Sequence, residues 1–193
     1  MSNQETKAFV REFKTQVTIL GGSVALMWVL ELMDVIVFRQ RLNIYGIIPR
    51  EIIGLRGILF APFLHAGFAH LISNTIPFLV LGWFVMLQET GEFFIVTPII
   101  MLVSGLGVWL IGSPGVHIGA SGVVFGYLGF LLARGLFERN FLSIVLSLLV
   151  GCLYGSLIWG VLPIQIGVSW EGHLFGFIGG VLAARFLAKQ KSK

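Results

Sequence analysis

The sequence predicts an all-α, polytopic bundle of six transmembrane helices, with a buried loop leading into a short fourth helix. Of its 193 residues, 56% are hydrophobic and only 11% charged, whereas a soluble domain carries about 25% charged residues. The charges also cluster, so that residues 57–88, 93–133 and 140–170 contain no Asp, Glu, Lys or Arg. Such runs exceed the roughly 20 apolar residues that cross a hydrocarbon core about 30 Å thick. Backbone in lipid must find hydrogen-bond partners within its own segment, so each span is helical.

Residues 1–16 are polar and charged, lack the apolar stretch and small-residue cleavage site of a secretory signal, and read as a cytoplasmic segment. Spans follow near Val17–Val37, Phe68–Leu87, Phe93–Gly112, Gly119–Ala133, Phe141–Leu162 and Trp170–Ala188, within one domain over residues 17–188, and residues 189–193 form a basic tail. Positive charge orients the bundle. With both termini cytoplasmic, the inner side holds Lys7, Arg11, Lys14, Arg134, Arg139, Arg185, Lys189, Lys191 and Lys193. The net charge of +4 thus reflects topology in a plasma membrane of prokaryotic type, and nothing points to nucleic acid. Arg39, Arg41, Arg50 and Arg56 are the exception. All four fall in the first loop, 38–62, which mixes them with Leu, Ile, Tyr45 and Phe60 and reads either as an amphipathic segment at the interface or as an ordinary connector. The single cysteine, Cys152, lies in an apolar run and is expected as a small buried hydrophobe.

Spans two, four and six all run inward and end at charged residues, Glu89, Arg134 and Arg185. Counting back at about 1.5 Å per residue puts Asn74 about 22 Å, Ser121 about 20 Å and His173 about 18 Å above that inner boundary, with His70 at about 28 Å. Polar groups from three helices so share one level inside the hydrocarbon. Ser and Asn alone can serve as interhelical hydrogen-bond glue, but an intramembrane histidine among them is a functional hypothesis by default. The fourth span, 119–133, covers only about 22 Å and is too short to cross. The chain is therefore expected to enter as irregular backbone over 113–118, with Pro114 and Gly115, and to start its helix inside the membrane at Ser121.

A serine hydroxyl needs a base to become a nucleophile, and His173 is the candidate. Gly122, Gly126 and Gly129 on the fourth span face Gly172, Gly176 and Gly180 on the sixth, a pattern that lets helix backbones approach closely. Acyl transfer also needs donors for the developing oxyanion. The Ser121 N–H at a helix start is one, and His70 and Asn74, four apart on one helix face, supply others. His65 lies off that face, nearer the surface, and is expected to anchor structure. His117 receives no role.

The segments Gly119-Ala120-Ser121-Gly122, His173 with Gly176 and Gly180, and His65-x4-His70-x3-Asn74 together resemble the rhomboid family of intramembrane serine proteases. The resemblance covers nearly the whole chain. It implies cleavage of single-span membrane proteins in or near their transmembrane segment by a Ser121–His173 dyad without an acidic third member. It further implies an oxyanion hole of His70, Asn74 and the Ser121 amide, no cofactor and no metal, with transmembrane substrates and the lipid bilayer as partners; it says nothing of oligomeric state. The sequence departs from the family twice. Phe125 stands where a tyrosine commonly packs on the catalytic histidine, and residues 38–62 lack the frequent Trp-Arg pair.

Other chemistries fit poorly. His-Glu-x-x-His is absent, Asp34 is the only aspartate, and Gly-x-Ser-x-Gly fails at Val123. A transporter is disfavoured by the lack of an inverted repeat and the scarcity of intramembrane charge, and a non-catalytic relative would typically have lost the serine or the histidine. Gly160, Pro163 and Gly167 break the chain beside His173, which makes the fifth span and the turn Pro163–Glu171 a candidate lateral gate.

Overall fold

The computed structural model describes residues 3–164 and 167–191, and among them it contains helices and turns but no β-strand. Six long helices make the bundle: α1 (Asn3–Met33), α2 (Phe68–Met86), α3 (Phe93–Ile111), α4 (Ser121–Glu138), α5 (Phe141–Tyr154) and α6 (Trp170–Lys191). By length and composition five segments can cross a membrane, namely Asn3–Phe38, Phe68–Met86, Thr90–Ile111, Ser121–Glu138 and Phe141–Val161. The chain is a multi-pass membrane protein. The sixth helix falls short of that apolar criterion. Glu171, His173, Arg185 and four glycines dilute it, and Glu171, His173 and Gly176 face inward. A helix surrounded by protein need not be as apolar as one facing lipid.

The centre of the bundle is α4, with α6 packed along it and α3 beside both. Small residues cause this. A Cβ at Gly176 would collide with the Gly122 carbonyl, and one at Gly180 with the Gly126 carbonyl, so the two backbones touch. The remaining face of α4 buries Val124, Tyr127, Leu128 and Leu131 in the main core.

The elements differ from expectation in several places. α1 starts at Asn3, so the charged segment expected before the first span is helical and continuous with it. Nothing interrupts it before Gly21, and Glu, Lys, Arg, Gln and Ala are good helix formers. α4 is not short. It runs eighteen residues, about 27 Å, to Glu138. Arg134 does not mark an interface either, since it is 1% exposed and ion-paired with Glu92 and Glu138. The height counted for Ser121 from Arg134 therefore does not stand. The loop before α4 is exposed over Ser113–Val116 and half-buried only from His117 to Gly119, not buried throughout. It borders an open cavity, where water can serve its backbone. Cys152 is exposed, because α5 packs chiefly on α4 and its other face looks outward.

The first loop folds as short helical turns, Leu42–Tyr45, Ile52–Arg56, Gly57–Phe60 and Ala61–Phe63. Ile44, Ile52, Ile53 and Leu59 are exposed beside its arginines. The Arg56 guanidinium lies 4.5 Å from the Tyr45 ring centre, and Arg50 donates to the Gly112 carbonyl at 3.0 Å.

Candidate active site

Ser121 is the first residue of α4. The amides of a helix's first turn have no intrahelical carbonyl to serve, so its N–H is free to meet a ligand. What precedes it explains the turn. Gly119 has φ +114°, and a Cβ there would lie 2.6 Å from His70 Cε1 and 2.7 Å from Nε2. Only glycine admits both the backbone and the neighbour. The Gly119 N–H donates to the Ala61 carbonyl at 2.8 Å, which ties this turn to the first loop.

His173 comes from the second turn of α6 and is buried. Its Nδ1 lies 2.9 Å from the Gly160 carbonyl. A carbonyl only accepts, so in the neutral ring Nδ1 carries the proton and Nε2 keeps its lone pair. Phe125, one turn after Ser121, stacks on the imidazole with centroids 3.9 Å apart and planes 5° from parallel. The ring–ring contact expected from Phe125 is therefore made without a hydroxyl. Gly160 belongs to a 3₁₀ stretch, Gly155–Val161, that continues α5. The fifth span is thus α-helical only to Tyr154. The turn beyond, part of the candidate gate, includes Gln165 and Ile166, which lie outside the described residues.

Just before α2 the Ala66 N–H points to His70 Nδ1 at 3.4 Å, which leaves Nε2 as the donor nitrogen of the neutral ring, and that edge abuts Gly119. Asn74 Nδ2 donates one hydrogen to the His70 carbonyl at 2.9 Å and has a second to give. His70, Ser73, Asn74, Pro77, Ser121, Phe125 and His173 all line one cavity of about 970 Å³. The structure therefore brings residues of α2, α4 and α6 to one space. No hydrogen bond joins Ser121 to His173 among the described residues; catalytic contacts often tighten only when substrate is bound.

Two residues, His117 and Glu171, have duties that the sequence did not disclose, and His65 lies deeper than expected. His65 is 1% exposed rather than near the surface, with its ring 5.1 Å from that of His70. Burial, with the neighbouring His70, pushes its pKa down to about 4. His117 pairs with Ile47 through both backbone bonds at 2.9 Å, and its ring reaches Ser169 Oγ at 2.7 Å and the Ser113 carbonyl at 2.9 Å. Glu171, 1% exposed, accepts from the Ser113 N–H at 2.8 Å and hydroxyl at 2.7 Å. The signal for Glu171 was its place, an acidic side chain in the first turn of an otherwise apolar helix. For His117, spacing alone carried no signal. Among the described residues no group of three His, Cys, Asp or Glu could hold a metal ion.

Comparison with known proteins identifies the family. Residues 53–190 match the family model described as the Rhomboid domain. An uncharacterized protein of Mycobacterium tuberculosis is 44% identical over 189 residues, covering 91% of this chain and 78% of that protein. One of Mycobacterium leprae is 41% identical over 202 residues, covering 98% and 78%. The Bacillus subtilis protein named Rhomboid protease GluP is 32% identical over 130 residues, covering 67% of this chain and 25% of that protein. A family match over most of the sequence and the clustering of the motif residues at one cavity lead to one conclusion: this chain belongs to the rhomboid family.

Proposed function

We propose that this protein is an intramembrane serine endopeptidase that cleaves single-span membrane proteins in or near their transmembrane segment. The observation that carries the reading is the shared cavity of Ser121 and His173, with His173 Nδ1 held by the Gly160 carbonyl and Nε2 left as the basic nitrogen. In the proposed reaction Nε2 takes the Ser121 proton as Oγ attacks the scissile carbonyl. The oxyanion is met by the Ser121 N–H, His70 Nε2–H and the second Asn74 N–H. The imidazolium then protonates the leaving amine, and a water in the cavity, giving its proton to Nε2, attacks the acyl-enzyme to release the acid and restore Ser121. The Gly160 carbonyl and the Phe125 ring orient the base, in place of an acidic third member. The reaction needs no cofactor.

In this reading α6 is the sixth span, both termini are cytoplasmic, and the membrane is a prokaryotic plasma membrane. Purified protein, mixed with a single-span reporter substrate, is expected to cleave it and to react with a fluorophosphonate probe, while Ser121→Ala and His173→Ala do neither. Cleavage that survives Ser121→Ala refutes the assignment. Substrate approach is assigned to the side of α5, whose attachment near the cavity is the 3₁₀ stretch. A disulfide between α5 and α2, introduced with Cys152 replaced, should slow substrate cleavage and spare labelling by the small probe. Undiminished turnover in the crosslinked protein removes the gate.

A further inference from the structure

Ser113 is the point where the chain leaves α3 and turns towards the nucleophile. Each of its polar groups is engaged. Its N–H and hydroxyl both donate to Glu171 Oε1, at 2.8 and 2.7 Å, and its carbonyl faces His117 Nε2 at 2.9 Å. That carbonyl requires Nε2 to carry the proton, so Nδ1 of the neutral ring accepts from the Ser169 hydroxyl at 2.7 Å. Ser169 Oγ in turn accepts from the Gly172 N–H at 3.3 Å. Both ends of the loop, Ser113 and His117, are thereby clipped to the start of the helix that carries His173. Glu171 and Gly172 are its immediate predecessors.

The partners of this carboxylate are notable for what they leave out. Glu171 is the buried acid nearest the base in sequence, and its hydrogen bonds go to Ser113, while the imidazole takes the Gly160 carbonyl. An acid two residues before a catalytic histidine could have oriented the ring; here it orients the nucleophile's loop. Gly119 and Ser121 lie two and four residues beyond His117 on the same strand of chain, with few other anchors: the Ile47 bridge and the Ala61 carbonyl.

We infer that Glu171 and His117 are positioning residues, a carboxylate–serine–histidine–serine clip that sets the nucleophile's loop against the helix of the base. The inference rests on the dyad assigned above. Near-attack geometry is sensitive to shifts of about 1 Å, which can cost about a hundredfold in rate. Loss of the clip therefore slows acylation without removing any group that touches substrate.

The test uses the full chain in detergent. It measures the rate constant of fluorophosphonate labelling per labelled site, the fraction finally labelled, and hydrogen exchange of the peptide covering 113–121. Glu171→Ala should label at least tenfold more slowly, reach the parental fraction, and exchange faster in that peptide. Glu171→Gln, which keeps an acceptor, should recover part of the rate. Glu171→Ala combined with Ser113→Ala should be no slower than Glu171→Ala alone, as members of one network are non-additive. A parental rate constant in Glu171→Ala, a deficit confined to the fraction labelled, or unchanged exchange each overturns the inference. A parent protein that does not label sinks the dyad and the positioning role together, and exchange then reads the clip as architecture alone.

Discussion

His173 meets two different chemical groups, and each limits a different freedom. The Gly160 carbonyl selects the tautomer and the Phe125 ring fixes the plane. A stack of this kind contributes about 0.5–1.5 kcal/mol beyond burial, which is enough to hold one orientation of a ring. His65 plays a different part beneath His70. Its folded pKa of about 4 lies below the ordinary 6.5, so the folded state favours the neutral ring. Above pH 6.5 both folded and unfolded chains are neutral at this site. As pH falls from 6.5 towards 4 only the unfolded chain gains the proton, so stability declines by at most about 1.4 kcal/mol per unit, and the decline ends below about 4. Thermal unfolding in detergent across this window should therefore be less pH-dependent in His65→Gln than in the parent. Parallel pH curves for the two would show that His65 does not titrate as argued.

Two elements meet without side chains between them where α4 and α6 cross. The Gly122 carbonyl occupies the space that a side chain at Gly176 would need. Gly176→Ala must push the helices apart, and overpacking of a close interface costs about 1–3 kcal/mol. We expect a lower thermal midpoint and a larger fractional loss of substrate cleavage than of folded protein, because the separation acts on the pair of helices that carry Ser121 and His173. A variant with parental midpoint and turnover would mean that the interface has slack. The 3₁₀ stretch Gly155–Val161 is the other element with a consequence for the site. Seven residues are long for this conformation, which is usually found in short pieces, and its Gly160 carbonyl is the partner of His173 Nδ1. In the proposed gate, movement of α5 at this end and disorder of His173 are a single event.

Across the whole molecule the cavity is balanced by a polar lock at the other end of the bundle. Arg134 is fully buried. It forks onto both Glu92 carboxylate oxygens, reaches Gln88 at 2.6 Å, and pairs with Glu138 at 2.9 Å. Ser143 extends the network to α5, bonded to Glu138 and Gln88 at 2.6 Å each. α4, α5 and the turn from α2 to α3 are thus joined at this end, and in the proposed gate the cavity end is where α5 moves. Arg134→Ala takes the cation away from Glu92 and Glu138, and removing one member of a buried pair costs about 3–5 kcal/mol. The expected result is a large drop in the thermal midpoint, partly recovered by Arg134→Met combined with Glu92→Met and Glu138→Met. A small drop for Arg134→Ala alone would show that the lock contributes little.

Much of this was legible in the residues. Charge-free runs name the spans because lipid admits no uncompensated charge, and Ser121, His173, His70 and Asn74 stood out because polar groups there need a reason. Helix ends were less legible. Arg134 resembled an interface marker until its partners Glu92, 42 residues away, and Glu138 were in place, and a buried ion pair cannot be told from an exposed arginine by composition. Nor could the sequence assign Gly160, His117 or Glu171, whose work is done through contacts between segments far apart in the chain. Local chemistry and periodicity, which depend on neighbours along the backbone, were determined by the sequence by itself: a multi-pass helical protein with a serine and a histidine in its apolar spans. The tertiary structure alone decided which nitrogen of His173 is basic, where the carboxylate of Glu171 goes and which end of the bundle is locked, because those depend on distances across the fold that no local pattern encodes.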